Sequence, residues 1–397
     1  MIERNIYVDI YKIDKKKKSF DGVHYAVRIV KSPIFWMVFI LILLLFEYWR
    51  NQVDPMAYVP FLSSHAPSQP LFFRIPYPPA LIEFSTSQKY LSSNFQAFNR
   101  LGNHLFEVVS IFSLAKKLKR TPLFLIQDCY HEKMLEDLKT IVPDLIAQFA
   151  VVNGSVPNSI KPTVFHEKCC TFQDPSILED IQDEYLYLNG THYQSWKYFP
   201  GMRDDLINFL KEPDHNFLSL PESSDTNFIK CVHIRRGDFI EFLIPIADKT
   251  FIINAMKFID EKGRSAGQAA QYLPIQKFPE GRTRINSYTV FFGDDFQFME
   301  EIRNSTVKED GFVSRMSPAD DLLYSKNNCD VVLITAAHST FGWWMGYLSK
   351  GNRVYHTDIL YTDDINIREG LLEPSDYFLP HWIPLKSSGL AVVESRK

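Results

Sequence analysis

Alternating apolar and mixed stretches in the second half of the chain predict alternating strands and helices. Short runs rich in β-branched and aromatic residues predict strands at 228–234, 287–292, 330–335 and 352–356. Segments with apolar residues at helical spacing predict helices at 250–262, 296–303, 318–327 and 339–349, the third capped by Ser317 with Pro318 at its first position. This alternation predicts an α/β fold with helices on both faces of a parallel sheet.

The first half of the chain carries fewer clear signals. An amphipathic run from Leu105 to Leu118 ends in basic residues and predicts a helix. Tyr185 to Gly190 predicts a strand and a turn, and Met202 to Leu210 a short helix. The polar stretch 263–286, in the second half, predicts an insertion loop.

The length of 397 residues predicts more than one domain. We expect an N-terminal domain at 89–226 and a C-terminal domain at 227–386. An uncharged apolar stretch followed by aromatic residues predicts a membrane anchor at 32–49, after a basic tail at 1–31 and before a Pro-rich stem at 50–88. A removed signal peptide is the alternative, but no small-residue cleavage site follows. The basic tail favours a type II protein with a cytosolic N-terminus.

Composition narrows the class of protein. With 46% hydrophobic residues the chain can bury large cores, and a net charge of −4 argues against nucleic-acid binding. Five cysteines are too few and too irregular for a disulfide scaffold or a zinc site. Cys231 falls in the middle of a strand and is expected to be a buried free thiol. The adjacent Cys169 and Cys170 are expected to have different partners or to leave one thiol free.

The most informative segment is HIRRGD, residues 233–238, which ends the first strand of the second half. Two adjacent guanidinium groups, those of Arg235 and Arg236, form a permanently charged receptor for phosphate oxygens. Gly237 lets the chain turn, and Asp238 can hold one arginine in place. The alternative is a solvated surface turn with an Arg–Asp ion pair.

Two further polar motifs follow predicted strands. FFGDD carries Asp294 and Asp295, which could bind a base or ribose or could cap the next helix. HSTFGWW places Ser339 and Thr340 at a helix start, where hydroxyls and free N–H groups favour an anion. Because the C-terminal ends of parallel strands share one rim, the three motifs are expected to form a nucleotide diphosphate site. No dinucleotide-binding or P-loop glycine motif is present.

The set HIRRGDF, FFGDD and STFGWW, in this order and spacing, resembles glycosyltransferase family 11, the α-1,2-fucosyltransferases. The segment Asn99 to His104 resembles the family's Gly-Arg-Phe-Gly-Asn-Gln, with Asn99 replacing the first glycine and His104 the glutamine. The resemblance covers about residues 90–356. It implies a GT-B architecture, in which two Rossmann-like domains face a cleft and the C-terminal one binds the donor.

The resemblance also implies roles for single residues. Arg235 would bind the β-phosphate of GDP-fucose, supported by Arg236. His233 and Asp238 would make further contacts with the donor. Asp294 or Asp295 would bind the guanine, and Ser339 and Thr340 would bind the diphosphate. The acceptor side of the cleft would contain Asn99, Arg100, Gly102, Asn103 and His104. Glu107 and His104 are candidates for the base that inversion requires. No metal is expected, because two arginines already serve the diphosphate.

Three functional hypotheses follow. The first is transfer of L-fucose from GDP-β-L-fucose to a hydroxyl of a glycan on a glycoprotein or glycolipid, α-1,2 to galactose. The second keeps GDP-fucose but changes the acceptor or linkage. The third is an inactive, membrane-anchored homologue that binds glycans or partners. The resemblance implies a Golgi membrane protein with lumenal catalytic domains, where the sequons at Asn153, Asn189 and Asn304 could be glycosylated.

Overall fold

The chain folds around two mainly parallel β-sheets, which confirms the predicted α/β class. The computed structural model describes residues 88–395 apart from 155, 157–158, 214–216, 218–219 and 269–285. All described residues belong to one compact unit, residues 82–397. The predicted tail and anchor, and the stem up to residue 87, lie outside the described residues. Within the described part, none of the helices has the length and apolar character needed to cross a membrane.

The first sheet contains five parallel strands: β1 (Tyr90–Ser93), β2 (Thr121–Ile126), β3 (Ala150–Asn153), β4 (Thr163–Val164) and β5 (Tyr185–Asn189). Their order is β3-β2-β1-β5-β4. The accompanying helices are α1 (Leu101–Lys117), α2 (Cys129–Lys139), α3 (Pro143–Ile146) and α4 (Arg203–Phe209), with 3₁₀ turns at Pro175–Leu178 and Trp196–Tyr198. The predictions for α1, β5 and α4 are confirmed, although α1 begins four residues earlier than the apolar run suggested.

The second sheet contains seven strands: β6 (Asn227–Ile234), β7 (Asn286–Gly293), β8 (Gly311–Val313), β9 (Val331–Ile334), β10 (Val354–Thr357), β11 (Ile383–Ser388) and β12 (Ala391–Glu394). Their order is β12-β11-β10-β9-β6-β7-β8, and only β12 is antiparallel to its neighbour. Strand β6 lies between β9 and β7, so the motif at its end is near the middle of the rim. The two sheets lie on opposite sides of residue 226 in sequence, and the predicted domain boundaries themselves stay a prediction.

The second sheet is accompanied by α5 (Gly237–Glu241), α6 (Lys249–Gln268), α7 (Phe296–Thr306), α8 (Pro318–Asn328), α9 (Thr340–Leu348), α10 (Ile365–Arg368) and α11 (Pro374–Tyr377), with 3₁₀ turns at Lys308–Asp310 and Ile359–Tyr361. The cap of α8 is confirmed, because Oγ of Ser317 accepts from the N–H of Asp320. The insertion loop predicted at 263–286 is wrong at its start, since α6 continues to Gln268. Residues 269–285 of that loop lie outside the described residues.

An aromatic core joins the two halves. Phe106 of α1 packs 4.6 Å from Trp343 and 5.0 Å from Trp344 of α9, measured between ring centres. Phe199 stacks on Trp344 at 5.8 Å, and all four side chains are fully buried. Large buried aromatic rings dominate core energetics. The core holds the N-terminal ends of α1 and α9 side by side, at the rim of the second sheet.

Two disulfides correct the expectations for cysteine. Cys231 of β6 is bonded to Cys329, which follows α8, with 5.6 Å between their Cα atoms. The predicted free thiol was wrong because β6 pairs with β9, and β9 starts just after Cys329. Cys169 and Cys170 are bonded to each other rather than to different partners. Cys129 is free and exposed.

Candidate active site

Arg235 lies at the C-terminal end of β6 and contacts two carboxylates. One terminal nitrogen is 2.6 Å from Oδ1 of Asp238, and the other is 3.0 Å from Oδ2 of Asp294. The Arg235 side chain is 16% exposed. The carboxylates fix the direction of the guanidinium group. One Nη donates a hydrogen bond to Asp238 and the other is in ion-pair contact with Asp294, out of the five N–H donors of the group.

Arg236 is held by the neighbouring strand end. Its backbone N–H donates to Oδ1 of Asp294 at 2.9 Å, and its Nε donates to Oδ2 of Asp295 at 3.0 Å. Its guanidinium carbon lies 3.9 Å from the ring centre of Phe298. Asp295 also caps α7, since its Oδ1 accepts from the N–H of Phe298 at 3.0 Å. Both aspartates expected at guanine are therefore engaged with arginines.

Two glycines allow the ends of β6 and β7 to meet. A Cβ atom on Gly237 would lie 2.6 Å from Oδ2 of Asp294, and one on Gly293 would lie 1.8 Å from the carbonyl oxygen of Ile234. A side chain at either position would push the strand ends apart. The glycine of each motif is thus required for the contact between Arg235 and Asp294.

A third arginine reaches this cluster from the first half of the chain. A terminal nitrogen of Arg100, the residue before α1, lies 3.3 Å from Oδ2 of Asp238. The Arg100 side chain is 68% exposed, so the ion pair itself contributes little stability. Asp238 nevertheless connects Arg100 with Arg235. A dianionic ligand at this point would meet guanidinium groups from both halves.

The start of α9 forms the next part of the rim. Ser339 caps the helix, and its Oγ accepts from the N–H of Gly342 at 3.3 Å. His233 lies beneath it, 1% exposed, with Nε2 3.5 Å from that Oγ. Burial, together with the charge of Arg235, lowers the pKa of His233 to about 3, so the ring stays neutral. Direct contact between His233 and a nucleotide does not fit this burial.

Asn103 connects the starts of α1 and α9. Its Oδ1 accepts from Oγ1 of Thr340 at 2.8 Å and from Nε2 of Gln194 at 3.2 Å. Gly102 allows this approach, because a Cβ atom there would lie 2.6 Å from Oγ1 of Thr340. The role of Gln194 as a partner of Asn103 was not predicted from the sequence. The only available signal was a polar residue inside an aromatic segment.

Of the remaining residues expected on the acceptor side or as the base, Asn99 is half-buried, and His104 and Glu107 are buried. Nδ2 of Asn99 donates to the carbonyl oxygen of Gln96 at 3.0 Å. His104 is 2% exposed, and burial lowers its pKa. Glu107 is 1% exposed and accepts from the N–H of Gln96 at 3.1 Å. Neither candidate base is accessible to an acceptor hydroxyl.

One group of possible metal ligands occurs among the described residues, formed by Cys169, Cys170 and His338. Sγ of Cys170 lies 3.7 Å from Nε2 of His338, whose Nδ1 is 3.3 Å from Asp364. A metal requires thiolates, and the bond between the cysteines removes them. Cys169, Cys170 and His338 therefore do not form a metal site while the disulfide is intact.

Relatives of this chain are known by sequence. A putative galactoside 2-alpha-L-fucosyltransferase, svh-11, of Caenorhabditis elegans is 44% identical over 371 residues, covering 91% of this chain and 92% of the relative. A galactoside 2-alpha-L-fucosyltransferase of the same organism is 32% identical over 72% of this chain and 77% of its own length. Galactoside alpha-(1,2)-fucosyltransferase 2 of Sus scrofa is 22% identical over 73% of this chain and 79% of its own length.

A comparison with protein-family models finds no match. Among solved structures, NodZ alpha-1,6-fucosyltransferase soaked with GDP-fucose aligns at a TM-score of 0.37 and 14% identity, over 70% of this chain and 97% of NodZ. The sequence relatives, together with the arginine cluster at the sheet rim, identify this chain as a glycosyltransferase. It belongs to the galactoside 2-alpha-L-fucosyltransferase family, as the resemblance predicted.

Proposed function

We propose that this chain is an inverting fucosyltransferase, which transfers L-fucose from GDP-β-L-fucose to a glycan hydroxyl, α-1,2 to galactose. The observation that supports it best is the position of Arg235, held by two carboxylates at the rim of the second sheet. The name of the relative that is 44% identical agrees with the transfer of L-fucose to position 2 of a galactoside. The two halves would act as the two sides of a GT-B cleft.

In the transfer the acceptor oxygen would bond to the anomeric carbon from the opposite face and give its proton to water, while the bond between that carbon and the β-phosphate oxygen breaks and negative charge develops on the leaving GDP. Arg235 would stabilise that charge with its unengaged N–H donors, while Asp238 and Asp294 keep it oriented before the substrate binds. Arg236 would support it through Asp294. Thr340 would meet the diphosphate at the start of α9, where unpaired backbone N–H groups favour an anion.

The reaction as proposed uses no metal. Asp294 and Asp295 would be the natural ligands of a magnesium ion at this rim, but both carboxylates already bind guanidinium groups. Retention of transfer activity in EDTA would support this view. Loss of activity in EDTA with recovery in manganese would contradict it.

Incubating the protein with labelled GDP-fucose and an array of glycans tests the proposed activity. Linkage analysis should find fucose on the 2-hydroxyl of galactose. Fucose at another position would support the second hypothesis, in which GDP-fucose is the donor but the linkage differs. GDP binding in a calorimetric titration without transfer to any glycan would instead support the inactive, glycan-binding homologue.

We also propose that residues 32–49 anchor the protein in the Golgi membrane as a type II protein with lumenal catalytic domains. The side chains of Asn153, Asn189 and Asn304 are exposed, as glycosylation requires. Treatment with peptide N-glycosidase should increase gel mobility. A mature N-terminus that begins after residue 49 would show that the segment is a removed signal.

A further inference from the structure

Two adjacent cysteines lie where segments from both halves of the chain meet. Cys169 and Cys170 are in the loop after β4. The backbone N–H of Cys170 donates to the carbonyl oxygen of Leu371 at 3.2 Å, and its carbonyl oxygen accepts from the N–H of Glu373 at 3.0 Å. His338, just before the cap of α9, faces the pair with Nε2 3.7 Å from Sγ of Cys170. Backbone pairing and a helix start therefore hold two sulfurs and one imidazole together.

A buried carboxylate orients the ring of His338. Its Nδ1 lies 3.3 Å from Oδ2 of Asp364, which is 1% exposed, and 3.2 Å from Nδ2 of Asn366. Burial opposes ionisation of Asp364, but hydrogen bonds from His338 and Asn366 leave its pKa below the ordinary value, so the carboxylate is charged. A charged acceptor binds an N–H more strongly than a neutral amide binds a ring lone pair, so the proton is on Nδ1 and the lone pair of Nε2 faces Cys170. Histidines that bind metals are commonly oriented by a carboxylate in this way.

The distances fit a tetrahedral zinc ion once the two sulfurs are separate thiolates. The Sγ atoms of Cys169 and Cys170 and a ring nitrogen of His338 all lie within 4.8 Å of one another. Zinc bonds of about 2.3 Å to sulfur and about 2.0 Å to nitrogen place two ligand atoms roughly 3.5–3.8 Å apart. The 3.7 Å between Cys170 and His338 matches this spacing. A water molecule would complete the coordination, since Cys169 and His338 are only half-buried.

Exposure distinguishes this disulfide from the other one. Cys231 and Cys329 are fully buried in the core of the second sheet, whereas Cys169 is half-buried. Because thiol–disulfide exchange requires access to a sulfur, a mild reductant reaches the Cys169–Cys170 bond first. The sequence gave no sign of such a site, because His338 is 168 residues away from Cys170.

We infer that Cys169, Cys170 and His338 form a redox-dependent zinc site, which is closed while the sulfurs are bonded to each other and forms when that bond is reduced. A dithiol supplies two electrons and two protons, becomes a disulfide itself and leaves both cysteines as thiols. Zinc then displaces the two thiol protons and binds Nε2 of His338. The site is independent of the transfer proposed at Arg235, which uses no metal.

Calorimetric titration of the full chain with Zn²⁺, before and after mild reduction, tests the inference without any variant. The reductant is a water-soluble phosphine, removed by gel filtration, because an added thiol would itself bind zinc. Water gives its oxygen to the phosphine and its two protons to the sulfurs. The reduced protein should bind one Zn²⁺ per chain, and Co²⁺ in its place should show the near-ultraviolet absorption of thiolate–cobalt bonds. Equal zinc binding before and after reduction, or none after it, would overturn the inference.

Cys170→Ser removes one thiolate and should abolish zinc binding by the reduced protein. Cys129→Ser, which changes the exposed free thiol, is the matched control and should bind zinc like the wild type. Loss of binding in Cys129→Ser would place the zinc on that surface thiol and contradict the inference. If Cys170→Ser does not fold, the comparison of oxidised with reduced wild type still decides.

Asp364→Asn tests the carboxylate that orients His338. It should lower the zinc affinity of the reduced protein by about 10- to 100-fold, while its side-chain oxygen still accepts from the N–H of Asn366 at the start of α10. Asp358→Asn is the matched control, because Asp358 is also buried and caps the 3₁₀ turn Ile359–Tyr361, and it should leave zinc affinity unchanged. An Asp364→Asn protein that melts like the wild type and binds zinc equally well would contradict the role of His338.

Discussion

The ends of the strands differ between the two sheets. Around β6 and β7 of the second sheet, charged side chains are partly exposed and paired with each other, as in Arg235 and Asp294. Beyond β1 of the first sheet, polar groups are buried and bonded inward, as in Glu107 with the N–H of Gln96. Preorganised, accessible charges suit the binding of a charged donor. At its own strand ends the first half presents fewer accessible charges, among them Arg100 and the exposed Asp128, which follows β2 and caps α2.

The strongest test of this comparison is Arg235→Lys, which should reduce kcat/KM for GDP-fucose by about 10²–10³. Lysine keeps the charge but lacks the planar fork that contacts two carboxylates and, as proposed, would bind a phosphate at the same time. Arg303→Lys on α7, paired with Glu300, is the control and should leave the rate unchanged. Near-normal turnover of Arg235→Lys would show that Arg235 does not bind the diphosphate.

Removal of the Cys231–Cys329 disulfide should destabilise the protein by about 2–4 kcal/mol, because the bond closes a loop of 98 residues. Replacement of both cysteines by alanine, followed by denaturant unfolding, measures this effect. The control is Cys129→Ala, which changes an exposed free thiol. Unchanged unfolding of the double variant would indicate that the disulfide does not support β6.

Glu107→Gln should lower the free energy of unfolding by about 1–3 kcal/mol, because it weakens a buried acceptor of the Gln96 N–H. Donor binding should be unaffected. A loss of kcat with unchanged stability would contradict the comparison, because it would make Glu107 a catalytic base despite its burial.

Thr340→Val should weaken the binding of GDP-fucose by a smaller amount, about 0.5–1.5 kcal/mol. The substitution removes one hydrogen bond to Asn103 and nearly preserves the shape of the side chain. The expected result is a rise in KM for GDP-fucose of several-fold, with little change in melting temperature. Thr140→Val at the end of α2, whose hydroxyl donates only to the carbonyl oxygen of Asp137 in the same helix, is the control. An unchanged KM would show that this contact between the halves does not shape the donor site.

Four strands and four helices of the second half could be predicted because their signals are local in sequence, whereas the short elements β8, β11, β12, α5, α10 and α11 were not predicted. Arg235 and Ser339 follow strands directly, and the sheet brings such positions together. The burial of His233 could not be predicted, since it depends on the packing of α9 over the end of β6. The disulfide at Cys231 depends on the strand order, and the contact of Gln194 with Asn103 on the approach of two distant segments. Local patterns contain no information on such pairings.

The aromatic core shared by Phe106, Phe199, Trp343 and Trp344 has a consequence for protein engineering. Acceptor choice in a two-part transferase invites the construction of chimeras, with one half taken from a relative. Here each half would bring its own side of a continuous packing surface, and a mismatch of one ring would leave a cavity or a clash. A functional chimera would have to exchange α1 and the segment around Phe199 together with α9, so the exchangeable module is larger than either sheet.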